Sequence, residues 1–170
     1  MQRQPTLHSS CASAATAAEL RYRIDGPEPA PRASRIIALD EGAAAIVRGL
    51  AGQHRGGAHF LMYGSALPGN GAGGHADVAL HTLDGGEVLL SEEILDADVV
   101  VMIATEQARA EAASVIGDTC ARRMVMPVGL VVAPPGRSGE VVPALRPNAM
   151  VLAVLEDGSD ISGILSALRV

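Results

Sequence analysis

Asp98-Val-Val-Val-Met-Ile-Ala104, Thr105 to Arg123, and Val125-Met-Pro-Val-Gly-Leu-Val-Val132 carry the pattern from which the fold follows. The first and third are unbroken apolar runs, and an amphipathic segment lies between them. A strand that is apolar on both faces is buried on both faces, which is the condition of a parallel sheet covered by helices. The pattern predicts a β-α-β unit. Ala108, Ala112, Val115, Ile116 and Cys120 recur at three- and four-residue steps and mark the buried helix stripe. Glu106 at the start and Arg122-Arg123 at the end of that predicted helix suit its dipole.

Working outward, Arg35-Ile-Ile-Ala-Leu39 reads as a strand, Asp40-Glu41-Gly42 as its turn and Ala43 to Leu50 as a helix. Ala58 to Tyr63 is a second strand, followed by a glycine-rich loop from Gly64 to Ala76. Asp77 to Leu83 and Glu87 to Leu90 read as a hairpin turned by Asp84-Gly85-Gly86. Ser91-Glu92-Glu93 begins a helical turn. Pro134-Pro135-Gly136 breaks the chain, Ala149 to Leu155 reads as a last buried strand, and Ile161 to Leu168 as a closing helix. Strands alternating with helices predict a three-layer, Rossmann-like α/β domain over residues 35–170, its mostly parallel sheet carrying helices on both faces. Residues 1–34, rich in Ala, Ser, Pro and Arg, read as a flexible arm with Leu20, Tyr22 and Ile24 as docking anchors.

Composition narrows the function. The chain has 170 residues and a net charge of −6, with Phe60, Tyr22 and Tyr63 as its aromatics. An acidic chain poor in stacking rings is a poor match to nucleic acid. All 13 basic residues are arginine, which removes a phosphate-loop lysine and a Schiff-base lysine. No apolar run is long enough to span a bilayer, residues 1–33 lack the apolar core of a secretory signal, and Cys11 and Cys120 are too few for a disulfide framework. The expectation is a cytoplasmic protein that engages neither membrane nor nucleic acid.

In open parallel sheets, ligands bind beyond the carboxyl ends of the strands. Two candidate sites follow. Gly69-Asn-Gly71-Ala-Gly-Gly74 matches G-x-G-x-x-G, and with Thr105 it is the candidate cofactor-binding set, although the following residues read as strand rather than helix. The acids Asp40, Glu41, Glu106, Asp157 and Asp160 follow predicted strands. Asp40, Glu41, Glu106 and Asp157 are candidate ligands for a divalent cation, set against the simpler reading that each acid caps a helix. His75 with Asp77 is a candidate acid–base pair, but no nucleophile or oxyanion device accompanies it, so no catalytic residue is assigned.

Asp96-Ala-Asp-Val-Val-Val-Met-Ile-Ala104, the helix after it and Met126-Pro-Val-Gly-Leu-Val-Val132 resemble the nucleotide-binding domain of the tubulin and FtsZ superfamily. Arg35 to Leu50 matches that family's first strand and helix, and Met150 to Leu155 a later strand. The resemblance implies an α/β scaffold. Its Gly-Gly-Gly-Thr-Gly-Thr-Gly phosphate loop is replaced here by Ala104-Thr-Glu-Gln-Ala-Arg-Ala110, so no GTP-binding or GTPase residue is carried over. The family's following activation domain has no counterpart in the sequence. The expectation is a shortened, degenerate relative acting as a non-catalytic module that assembles with itself or a protein partner. The alternative is an enzyme that binds a nucleotide or small molecule with Mg²⁺ at the strand ends. Composition leaves the identity of any cofactor open.

Overall fold

The segment from Val99 through Ala104 is the centre of the sheet: all six residues are 0% exposed. In the computed structural model, which describes residues 30–53, 57–69, 76–137 and 139–170, β5 spans Val99–Thr105. Burial of each Val or Ile there contributes about 1.5–3 kcal/mol relative to exposure, the physical reason an unbroken apolar run takes the centre of a sheet. Its neighbours are β1 (Ser34–Ala38) and β6 (Met126–Val132), both parallel to it. β2 (Ala58–Leu67) lies parallel outside β1, and β7 (Val151–Leu155) parallel outside β6. β3 (Asp77–Thr82) and β4 (Glu87–Leu89) add antiparallel to β2. The seven strands are ordered β4-β3-β2-β1-β5-β6-β7.

Alternate residues feed two separate cores. Ile36, Ala38, Val99, Val101, Ile103, Val128 and Leu130 point to the face covered by α1 (Glu41–Ala51) and α5 (Ile161–Ala167). Ile37, Val100, Met102, Ala104 and Val131 point to the opposite face, under α2 (Leu90–Glu93), α3 (Ala110–Arg123) and α4 (Val141–Leu145). The three-layer, mostly parallel architecture expected from the sequence is the one observed. Gly129 sits where a side chain would collide with Leu152 at 2.9 Å, so its lack of a Cβ lets the α4 side pack close.

Several elements depart from the sequence reading. The strand after Ala58 does not stop at Tyr63. It continues to Leu67 through a bulge at Gly64, where a Cβ would lie 2.7 Å from His81 Nε2. The central helix starts at Ala110, not Thr105, because Thr105 completes β5 and residues 106–109 turn. Ala108 and Glu106 therefore precede the helix, and its first-turn acid is Glu111. The helix α4 and a following 3₁₀ turn, Arg146–Asn148, fill a region read only as a chain break. The last strand is an edge strand rather than a buried one, with Val151 43% and Val154 51% exposed.

Pro31–Val170 forms one compact unit. Ser34 is the first residue of β1 and fully buried, and Arg32 N–H donates to Arg169 O at 2.8 Å, so these residues belong to the body. Leu20, Tyr22 and Ile24 lie outside the described residues. Among the described residues, no helix is long and apolar enough to cross a membrane.

Candidate functional site

The parallel strands run in the order β2-β1-β5-β6-β7, so the winding direction reverses between β1 and β5. In doubly wound folds such a reversal marks the crevice, beyond the carboxyl ends of the two strands, where ligands bind. Two short connections meet there: Leu39-Asp40-Glu41 leading into α1, and Thr105-Glu106-Gln107 leaving β5.

Asp40 takes up the crevice with its own carboxylate. It is the N-cap of α1, in extended conformation, and its Oδ1 accepts from Ala43 N–H at 3.0 Å. The same carboxylate accepts from Thr105 N–H at 2.7 Å (Oδ2) and from the Thr105 hydroxyl at 2.7 Å (Oδ1). One half-buried group thus ties the first helix to the end of the central strand. Gly42 completes the fit. A Cβ there would lie 2.9 Å from Thr105 Cγ2 and 3.0 Å from its Oγ1.

Helix N-termini attract anions because their first N–H groups lack partners and the dipole is positive there. In this chain the anion at α1 is the protein's own side chain. A phosphate brought to about 4 Å from Asp40 would be repelled by about 4 kcal/mol per unit charge at an effective dielectric near 20. The groups needed to offset that, a lysine or a glycine-rich loop opening a helix, are missing from both connections. These two connections offer a phosphate neither group.

The other predicted site residues do not converge on Asp40. Glu41 is exposed and pairs with Arg48 at 3.0 Å on the outside of α1. Glu106 approaches Arg137 at 3.9 Å. Asp157 accepts from Ser159 N–H at 2.8 Å within its turn, and the bonds from Ser159 hold its carboxyl below the usual carboxylate range. Asp160 stands at the N-cap position of α5 without a side-chain cap bond. Among the described residues, no group of three or more His, Cys, Asp or Glu is arranged to hold a metal ion. The capping reading holds for Asp40 and fails for Glu106, which precedes no helix start.

Gly69 follows β2, whereas Gly71 and Gly74 lie outside the described residues. Their loop joins β2 to its antiparallel neighbour β3, so no helix N-terminus follows it. His75 also lies outside the described residues. Its proposed partner Asp77 accepts from Ser91 N–H at 3.1 Å and from the Ser91 hydroxyl at 2.6 Å, fixing the start of α2. Cys120 lies on the buried face of α3, and burial pushes its thiol up to about 12, which leaves it a core side chain.

Sequence reading missed one polar centre. Arg35, 6% exposed in β1, donates from Nε to Glu93 O at 2.6 Å and lies 3.0 Å from Glu93 Oε2; His59 Nδ1 is 2.8 Å from the same oxygen. Arg35 and His59 are register partners on β1 and β2. The available signal was an arginine opening an otherwise apolar strand. Two concave regions also lie away from the crevice. One of about 320 Å³ is lined by residues including Asp77, Ser91, Thr119 and Arg122, and one of about 270 Å³ by residues including Gly117, Asn148 and Met150.

No protein-family model matches the chain, and no curated protein matches it. Among solved structures, the human COPII-coat protein Sec24c is similar with a TM-score of 0.34 and 10% identity, over 88% of this chain and 33% of that one. The chain thus spans about a third of Sec24c, and likeness at that level carries no argument about function.

Proposed function

We propose that this chain is a non-catalytic assembly or partner-binding module built on a degenerate nucleotide-binding scaffold of the tubulin/FtsZ type. The observation that carries the reading is the Asp40 carboxylate, held by Ala43 N–H, Thr105 N–H and the Thr105 hydroxyl at the strand-order reversal. A carboxylate has about four acceptor positions, and three are used internally. The crevice where a nucleotide would sit is thereby converted into a structural joint. The exposed helix faces and the open sheet edge at β7 favour protein recognition over turnover.

Thermal denaturation of the full chain with GTP and ATP, each with and without Mg²⁺, tests this. A ligand at a hundred times its dissociation constant stabilises by about 2.7 kcal/mol, a readily visible rise in Tm. The reading expects no rise. A rise that requires Mg²⁺ would contradict it and favour nucleotide-dependent chemistry at the strand ends.

A further inference from the structure

The two edges of the sheet are guarded very differently. β4 is three residues long and opens with the exposed Glu87. Short length and charge are the devices that stop an edge from recruiting another strand. β7, Val151-Leu-Ala-Val-Leu155, has no charge, no proline and no bulge, and among the described residues it pairs on one side only, with β6. Val151 and Val154, which point to opposite faces of the sheet, are 43% and 51% exposed, and Met150 just before them is 74% exposed.

We infer that the β7 edge is a self-association surface, on which a second copy of this chain adds its own β7 antiparallel about a twofold axis at Ala153. The inference rests on the reading of the chain as an assembly module and names its partner. Three features of β7 fit its own copy. Centring on Ala153 overlaps all five strand residues. It sets the exposed Val151 opposite the half-buried Leu155 of the second copy on one face, and the exposed Val154 opposite its Leu152 on the other. Such apolar cross-strand pairs contribute about 0.2–1 kcal/mol each beyond Ala–Ala. The ends also complement one another. Glu156, Asp157 and Asp160 are exposed past the carboxyl end, and Arg146 is exposed ahead of the amino end. Antiparallel addition lays the acidic end of one copy beside the arginine end of the other, whereas parallel addition would stack acid on acid. A twofold contact of this kind closes, joining two seven-stranded sheets into one.

Sedimentation equilibrium of the full chain tests the inference. It predicts a dimer whose dissociation constant rises about tenfold or more in Val151→Lys and in Val154→Lys, because a twofold interface carries each change twice. Circular dichroism of these variants keeps its wild-type shape, since both positions are exposed in the single copy, and their Tm loses only the concentration-dependent part that dimerisation adds. Arg146→Glu weakens the dimer, and Arg146→Glu combined with Asp160→Arg restores it. A monomer at every concentration overturns the inference. So does a monomer whose β7 amides are protected from hydrogen exchange, which would assign the edge to another segment of the same chain. A dimer indifferent to both lysine variants also overturns it, but leaves the assembly reading standing on another surface. Binding of a magnesium nucleotide, by contrast, would remove that reading without altering the dimer.

Discussion

Asp40 and Thr105 are 65 positions apart in the chain and share two hydrogen bonds of 2.7 Å, one from the Thr105 N–H and one from its hydroxyl. This pair joins β1 and β5 at the point where the sheet changes winding direction. It is the reason the crevice is read as a joint rather than a ligand cradle.

Removing the carboxylate exposes the value of that joint. Asp40→Ala loses an N-cap worth about 1 kcal/mol and hydrogen bonds to a charged acceptor worth about 1.5–3 kcal/mol. A loss of about 2–4 kcal/mol in urea unfolding is expected. Asp40→Asn, which still caps, costs about half as much. A double-mutant cycle with Thr105→Val shows a coupling of about 1 kcal/mol or more; additive effects would show that the two side chains act separately.

Gly42 supplies a prediction of opposite sign to helix propensity. Glycine to alanine inside a helix normally gains about 1 kcal/mol. Here the new Cβ would lie 2.9 Å from Thr105 Cγ2, so Gly42→Ala destabilises by about 1–3 kcal/mol. Thr105→Ser, which deletes that methyl, recovers part of the loss. Stabilisation by Gly42→Ala would show that the Thr105 contact is loose.

The Arg35–Glu93 pair is nearly enclosed, with side chains 8% and 18% exposed. Breaking a buried pair costs about 3–5 kcal/mol, and the partial exposure of Glu93 lowers the expectation for Glu93→Ala to about 2–3 kcal/mol. Arg35→Met with Glu93→Leu recovers most of it. Chemical denaturation of the two variants checks the order; a double variant worse than Glu93→Ala contradicts it.

The alkaline limb of stability follows from buried acids. Cys120, ordinarily near 9.0, is pushed up to about 12 by burial. Tyr63 is also raised, first by burial and then by the negative charge of Glu111. The folded state holds these protons more tightly than the unfolded chain. Their stabilisation is therefore complete below the unfolded pKa values and falls as pH rises through the window from about 9 to 12. Cys120→Ala flattens the decline in that window, as measured by denaturation at stepped pH. In Cys11→Ser, thiol labelling at mildly alkaline pH waits on unfolding; fast labelling of the folded protein would contradict a buried Cys120.

Much of the fold was legible because burial writes itself into pattern. The runs around Val101 and Val128 are apolar on both faces, and only a covered sheet accommodates that. Asp40 was legible as a cap from its place before Glu41-Gly42. Asp84-Gly85-Gly86 was legible as a turn, and Gly85 takes a φ of +90°. The start of α3 was not, because Thr105 completes β5 and its tie to Asp40 is made across the fold. The exposed edge at Val151 and Val154 reads as core in sequence, since a run of apolar residues does not reveal how many neighbours a strand has. The Arg35–Glu93 pair spans 58 positions, beyond any local spacing rule.

NMR detection of scalar coupling across the Thr105 N–H to Asp40 carboxylate hydrogen bond, without and with magnesium-GTP, tests the central claim most directly. A joint closed by Asp40 gives a coupling that is present and Ala43 and Thr105 amide resonances that do not move when the nucleotide is added. Loss of the coupling together with shifts at both amides would mean that the crevice opens to phosphate, and would contradict that claim.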